Sequence, residues 1–524
     1  MSRSVAYFSM EIGLNPEVKT YSGGLGVLAG DTLKAAADQG LNFTAVTLMY
    51  RDGYFRQVLE GQMQNEEGQE WNYFELLEDT GVTTHVEIKG EEVEIKAWKY
   101  VIEGERRNVE VYFLDTGLDS NSDYAKSLTS SLYAGDNEFR LSQEALLGIG
   151  GARIIDELGL NPDYFHMNEG HSALLTLEAV GEKIFTTHTP VAAGHDSFHK
   201  STVEHVLGSR AEELDLEEGL NMTELALKHA SYKNAVSDKH GEVSKTMFPE
   251  HVFEEVTNGV HSNTWTIESF QELYDDHIPG WRKDSHRLSK ALRIPDKAIW
   301  SASRDAKISL NEIVQGELDT GTFTVGFARR STAYKRPTLI FKDLEELERL
   351  AEKYGGLQLV FGGKAHPNDT NGKELIQQIL KYGELLEKVD VYFIEDYGME
   401  DALKMVSGCD IWLNNPVRGK EASGTSGMKA AHNGTPQLST LDGWWIEGHI
   451  EDVTGWSIGE DYVEGEDQDK VDSKSIYQKL DHILSIYHND REKWLSVMKH
   501  SIALNASYFN TDRMVKEYVA EAYR

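Results

Sequence analysis

The sequence predicts an α/β chain built as two Rossmann-like domains in tandem, each a mainly parallel sheet with crossover helices, and three observations carry that prediction. Short β-branched or aromatic runs alternate with longer helical patterns, which is how parallel strands joined by crossovers read in sequence. The chain has 524 residues, more than one core ordinarily supports, and its 40% hydrophobic content can fill two. Between Asp296 and Thr322 the pattern turns helical and then polar, after which a fresh strand and helix series begins at Phe323. The boundary is therefore placed at 315/316, giving domains 1–315 and 316–524, with the last helix expected to pack back on the first domain.

Taken in order, the expected strands are VAYFSM, FTAVTLMY and KIFTTHT, then FTVGFA, LQLVFGG, VDVYFIED and CDIWLNN. The helical patterns include DTLKAAADQG, SALLTLEAVGEK and PTLIFKDLEELERLAEKYG. Residues 85–114 break the alternation of strand and helix with period-two patterning and turns at Gly90 and Gly104, which predicts a small antiparallel insertion. The acidic run at 459–472 reads as a solvated loop. Open α/β sheets bind ligands at the carboxyl ends of their strands, so two of them predict a ligand cleft between the domains.

Charge excludes some partners. Asp and Glu number 87 against 52 Lys and Arg, a formal net charge of −35, which repels a phosphate backbone and argues against nucleic acid. One cysteine, Cys409, rules out an intramolecular disulfide and a thiolate metal cluster within the chain, and no metal site is expected. The opening MSRSVAYFSMEIG lacks the order of a signal peptide, and no run has the length of apolar residues that spans a bilayer. A soluble cytoplasmic protein is expected, and a homo-oligomer is compatible with this reading.

Against that background two cationic islands stand out. Residues 325–341 carry Arg329, Arg330, Lys335 and Arg336 with no acid, and residues 411–440 carry Arg418, Lys420 and Lys429 against Glu421 alone. Each is compatible with a salt-bridged face or with a pocket for a small anion. Three loops favour the pocket. YSGGLG follows a strand and opens a helix, so Gly23, Gly24 and Gly26 can bring amides close to a ligand, although a tight turn reads the same way. FGGKAHP places Lys364 at the carboxyl end of a strand. In EASGTSGMK, Ser423 to Gly427 supply amides and hydroxyls suited to phosphate or sugar oxygens, with Glu421 before them and Lys429 in the first turns of a helix.

These motifs together resemble the α-glucan phosphorylase family of glycogen, starch and maltodextrin phosphorylases. YSGGLGVLAGD, DNEFRLSQEALLGIGG, HMNEGHSALL, TTHTPVAAGHD, VTNGVHSNTW, AYKRP, VFGGKAHP, IEDYG, EASGTSGMK and LSTLDGWWIE occur in the family's order. The resemblance implies a GT-B architecture, two Rossmann-like domains facing each other across a cleft. It also implies retaining, reversible phosphorolysis of α-1,4-glucan or maltodextrin by orthophosphate to α-D-glucose 1-phosphate.

The same resemblance assigns roles. Pyridoxal 5′-phosphate is implied as cofactor, held as a Schiff base by Lys429, with Lys335, Thr425, Ser426 and Gly427 around its phosphate and Tyr397 nearby. Its phosphate is implied to relay a proton to the substrate phosphate, which Arg336 and Lys364 hold. His188 and Asn258 are implied to bond the glucosyl 6-hydroxyl from the first domain, with the His188 carbonyl facing the developing oxocarbenium ion. Glu421, Ser423 and Gly424 are implied to hold the other hydroxyls, and Gly24 and Leu25 to line the phosphate. The strand VAYFSM begins at Val5, so a short form without the family's N-terminal segment and its regulatory elements is expected. Two other readings are a nucleotide-sugar-dependent GT-B glucosyltransferase, which has no use for Lys429 in its motif, and a non-catalytic glucan-binding homologue, which has no use for a phosphate pocket.

Overall fold

In a computed structural model, which describes residues 3–314, 317–460 and 465–524, the chain divides into two compact units. One unit holds the residues up to Phe55, Gly68–Thr257 and Met514–Arg524, and the other holds Arg56–Glu67 and Asn258–Arg513. The boundary expected at 315/316 lies outside the described residues. The segment before it belongs by packing to the second unit: Phe270, Tyr274, Trp281, Leu288 and Ile299 are buried in the core built around the strands from Phe323 onward.

The first unit is organised on a nine-stranded sheet. Its parallel part runs in the order Glu254–Glu255, Tyr232–Ala235, Glu182–Thr186, Tyr164–Asn168, Ser4–Ser9, Asn42–Leu48, Val109–Asp115. Ser4–Ser9 and Asn42–Leu48 are buried along nearly their whole length, as a sheet covered on both faces requires. The antiparallel insertion is found, and it starts earlier than the expected 85, because Glu78–Ile88 pairs with Glu91–Ile102, which pairs with Val109–Asp115. Lys89 and Gly90 both take positive φ, 55° and 76°, which turns the hairpin tightly. SALLTLEAVGEK does not form an α-helix; Gly170–Leu177 is a 3₁₀ helix. The C-terminal helix packs on this unit's sheet: Met514, Val515, Tyr518 and Tyr523 share a core with Val5, Tyr7 and Ile184.

The second unit carries six parallel strands in the order Val389–Ile394, Leu357–Gly362, Thr324–Ala328, Ile411–Asn414, Gln437–Thr440, Gly455–Ile458. Numbered along the chain this is 3-2-1-4-5-6, the doubly wound Rossmann order, whose direction reverses between the first and fourth strands. Loops leaving Thr324–Ala328 and Ile411–Asn414 therefore flank the switch point. The acidic run expected as a solvated loop is only partly one. Residues 461–464 lie outside the described set, and Asp467 accepts from the Lys470 N–H at 3.2 Å, capping the helix Gln468–Asn489. Asp472 in that helix is wholly buried because it is the counter-charge of Arg336 and Arg418. No helix among the described residues is long and apolar enough to cross a membrane.

Candidate active site

At the switch point of the second unit the two cationic loops meet through Glu421. Arg329 Nη2 donates to Glu421 Oε2 at 2.7 Å, and Lys335 Nζ donates to the same oxygen. Burial pushes the Glu421 carboxyl up, but Arg329 and Lys335 outweigh it and hold the group down at about 2, so it is ionised at neutral pH. The Glu421 N–H donates to Asp442 at 3.0 Å, and the Trp444 N–H donates to the Ser423 carbonyl at 3.0 Å, so the LDGWW stretch anchors this loop from the next strand end. Burial, with the Glu421 charge beside it, raises the Asp442 carboxyl to about 6.

Lys429 lies in the helix Ser426–Ala431, as the motif implied. Only 8% exposed, its Nζ sits 3.7 Å from the centre of the Trp265 ring. Asn433 stitches the two segments together: its Nδ2 donates to the carbonyls of Lys429 at 2.9 Å and Trp265 at 2.7 Å, and its Oδ1 accepts from the Ile267 N–H at 2.8 Å. At the head of this helix the Thr425 carbonyl accepts from the Lys429 N–H, and Ser426 Oγ accepts from Trp412 Nε1 at 3.0 Å. Gly427 admits no side chain, since a Cβ there would stand 1.4 Å from Gln437 Oε1. Neither Trp265, the last residue of VTNGVHSNTW, nor Asn433 was given a role by the resemblance.

Lys364 follows Leu357–Gly362 and pairs with Asp396 at 2.5 Å. Tyr397 lies against the same strand end, where its ring would meet a Cβ on Gly362 at 2.8 Å. Arg336, expected at the substrate phosphate, is engaged elsewhere. Its guanidinium donates to the carbonyls of Asn415 and Pro416 at 2.8 and 2.9 Å, to Asp472 at 2.6 Å and to Asp469 at 3.0 Å. Arg329, named in the cationic island but given no role, has instead a buried Nη1 with no partner among the described residues, and the buried Thr332 Oγ1 in the same loop has none there either. The sequence signal for Arg329 is its position directly after a strand that flanks the switch point.

In the first unit, the loop between Ser4–Ser9 and the helix Gly24–Gln39 is held by the buried Glu11, which accepts from the N–H groups of Ser22 and Gly23 and from Tyr133 Oη at 2.8 Å. Gly24 and Leu25 form the first turn of that helix, and space is open around the Gly24 Cα. His188 donates its N–H to Glu169 at 2.7 Å, and its Nε2 lies 2.7 Å from Asn168 Oδ1. Burial lowers its imidazole below the usual range, so the ring is neutral. Asn258 belongs by packing to the second unit, not the first as expected; its carbonyl accepts from Arg513, and its buried Oδ1 has no partner among the described residues.

The residues present fit pyridoxal phosphate: a buried lysine on an aromatic face, small residues around it, and two buried donors without partners among the described residues in the neighbouring cationic loop.

A model of carbohydrate phosphorylases matches residues 198–471, and a model of the starch synthase catalytic domain matches residues 5–257. Among curated proteins, the maltodextrin phosphorylase of Thermococcus litoralis is 37% identical over 99% of this chain and 70% of its own length. The glycogen phosphorylase of Aquifex aeolicus is 33% identical over 99% of this chain and 86% of its own. An uncharacterised protein of Methanocaldococcus jannaschii is 30% identical over the full length of both. With Lys429, Glu421 and the cationic loop standing at the switch point of a Rossmann sheet, the chain belongs to the carbohydrate phosphorylase family, in the group of glycogen and maltodextrin phosphorylases, and is a glycosyltransferase enzyme.

Proposed function

We propose that the protein catalyses reversible phosphorolysis of α-1,4-glucan to α-D-glucose 1-phosphate with retention at the anomeric carbon, using pyridoxal 5′-phosphate. The observation that carries this reading is that Arg329 and Lys335 on one loop and Glu421 and Lys429, the latter buried on Trp265, on the other flank one switch point. A nucleotide-sugar transferase has no need of that lysine.

In phosphorolysis the bond from C1 to the glycosidic oxygen breaks, a phosphate oxygen bonds to C1, and the proton of the phosphate ends on the leaving 4-hydroxyl. When bound, the cofactor supplies a phosphate that exchanges a proton with orthophosphate. Lys429 would hold the cofactor covalently, with Thr425, Ser426 and Gly427 around it and Tyr397 at the adjacent strand end. Two phosphates near each other repel, and fixed cations offset that repulsion most effectively where water is excluded. Arg329, Lys335 and Lys364 would supply them. Glu421 holds Arg329 and Lys335 in place and, ionised, would also accept from sugar hydroxyls beside Ser423 and Gly424. Gly24 and Leu25 would present backbone amides, and Asn258 Oδ1 would accept from the glucosyl 6-hydroxyl. The His188 carbonyl, whose residue is fixed by Glu169 and Asn168, would face the developing positive charge.

The test is direct. Purified protein supplemented with pyridoxal phosphate should convert maltodextrin and orthophosphate to glucose 1-phosphate, with the α anomer identified by NMR. Release of glucosyl units from a nucleotide sugar, with no dependence on orthophosphate, would overturn the proposal.

A further inference from the structure

The hairpin Arg56–Glu60 and Met63–Glu67 has neighbours in the chain that belong to the first unit, yet it packs with the second. Its two inward glutamines, Gln57 and Gln64, are 0% and 2% exposed. Burying primary amides is costly unless their donors and acceptors are used. Here they are used on residues 363–365, on Asp396 and on each other, and Gln64 Nε2 donates as well to Glu66 Oε1 at 2.7 Å. Gln64 Oε1 accepts from the Ala365 N–H at 2.9 Å, and Gln64 Nε2 donates to the Ala365 carbonyl at 2.9 Å. Gln57 Nε2 donates to the Gly363 carbonyl at 3.1 Å and to Gln64 Oε1 at 2.8 Å. Gln57 Oε1 accepts from the Asp396 N–H at 3.0 Å, and the Gln57 N–H donates to Asp396 Oδ1 at 2.9 Å.

Lys364 is the residue these bonds surround. Gly363 before it and Ala365 after it are both held by the glutamines, and Asp396, the partner of its ammonium, is held by Gln57. The conformation so fixed is not one the chain adopts freely: Asp396 has a φ of 53°, and Gly363 has a φ of 129° with a Cβ position 2.0 Å from the Arg329 carbonyl. The Ser331 N–H donates to the Lys364 carbonyl at 2.9 Å, which ties the stretch to the cationic loop.

We propose that Gln57 and Gln64 are positioning residues for Lys364, setting the angle at which its ammonium meets substrate phosphate. The inference rests on the reading of Lys364 as a phosphate-binding cation. Its occupant is orthophosphate in phosphorolysis and the phosphate of glucose 1-phosphate in synthesis.

The experiment is a double-mutant cycle on holoenzyme, with Gln57→Leu, Gln64→Leu and Lys364→Ala alone and in combination, reading the KM for orthophosphate, the KM for maltodextrin, kcat and bound cofactor. Each glutamine variant should raise the orthophosphate KM about five- to tenfold and leave the maltodextrin KM within about twofold. In the Lys364→Ala background the same substitutions should add nothing. Gln64→Met, which keeps the length of the side chain and loses both bonds to Ala365, should give a rise of the same order; it carries the test if the leucine variants do not fold. Equal factors in both backgrounds, or equal rises in both KM values, would show a general packing role and overturn the inference. Silent glutamines beside a Lys364→Ala variant with raised orthophosphate KM would overturn this inference alone. A Lys364→Ala variant with unchanged orthophosphate KM would overturn the reading of Lys364 and the inference with it.

Discussion

The ammonium of Lys429 lies 3.7 Å from the centre of the Trp265 ring, and Asn433 donates to the backbone carbonyls of both residues, so the two segments are tied together at the base of the lysine. Borohydride reduction of the cofactor-loaded protein, followed by peptide mapping, should leave a pyridoxyl group on the peptide containing EASGTSGMK. Lys429→Ala should abolish label and activity, and Trp265→Ala should slow cofactor uptake while the label stays on Lys429. Label on another lysine would remove Lys429 from the proposal.

Arg329 and Arg336 should part in their effects. Arg336 is 6% exposed and paired with the wholly buried Asp472, so Arg336→Ala leaves a buried carboxylate short of a partner and should cost roughly 3–5 kcal/mol of stability. Arg329→Ala should lower kcat/KM for phosphorolysis by about 100-fold, roughly 3 kcal/mol of transition-state stabilisation, with a smaller change in melting temperature. Chemical denaturation beside steady-state kinetics separates the two. A stable, inactive Arg336→Ala would return that arginine to the phosphate.

Asn258 Oδ1 is buried without a partner among the described residues, a state a ligand hydroxyl would relieve. In synthesis the wild type should use α-glucose 1-phosphate far better than α-xylose 1-phosphate, which lacks the 6-hydroxymethyl group. Asn258→Ala should narrow that gap by slowing glucose transfer more than xylose transfer. An equal loss of both rates would make Asn258 a turn residue whose role is to present its carbonyl to Arg513.

Stability should fall on acidification. His166 is 1% exposed, bonded to Tyr523 at 2.6 Å and Thr186 at 2.8 Å, and burial pushes its imidazole down to about 3. A folded value below the unfolded one means that the unfolded chain binds the extra proton, so this contribution is complete above the unfolded value of about 6.5 and is lost as pH falls toward 3. Between pH 6.5 and 5 the loss is of order 2 kcal/mol for this one group. Melting temperatures across that window should drop for the wild type, and less steeply for His166→Gln. Parallel slopes would show that His166 does not contribute.

The strands of both sheets were legible as apolar, β-branched runs, because a strand buried on two faces must be apolar along its length, and VAYFSM, FTVGFA and LQLVFGG all became central strands. The antiparallel insertion was legible through its period-two alternation, whereas a buried strand that carries polar residues without that alternation was not. Tyr164–Asn168 contains His166 and Asn168, whose polarity is satisfied by partners distant in sequence.

For the site, the sequence by itself determined the small-residue run before Lys429 and the cationic islands, since these are local: a backbone that must approach a ligand excludes side chains, and an anion pocket needs cations. Only the tertiary structure decided which cation faces what. Arg336 and Arg329 carry the same guanidinium and are near in sequence, yet one meets Asp472 from a helix more than a hundred residues later, and the other meets Glu421 and keeps a nitrogen unpaired among the described residues. The reason is physical: a charge buried in a fold takes its meaning from the counter-charge brought beside it, and chain topology, not local sequence, supplies that partner.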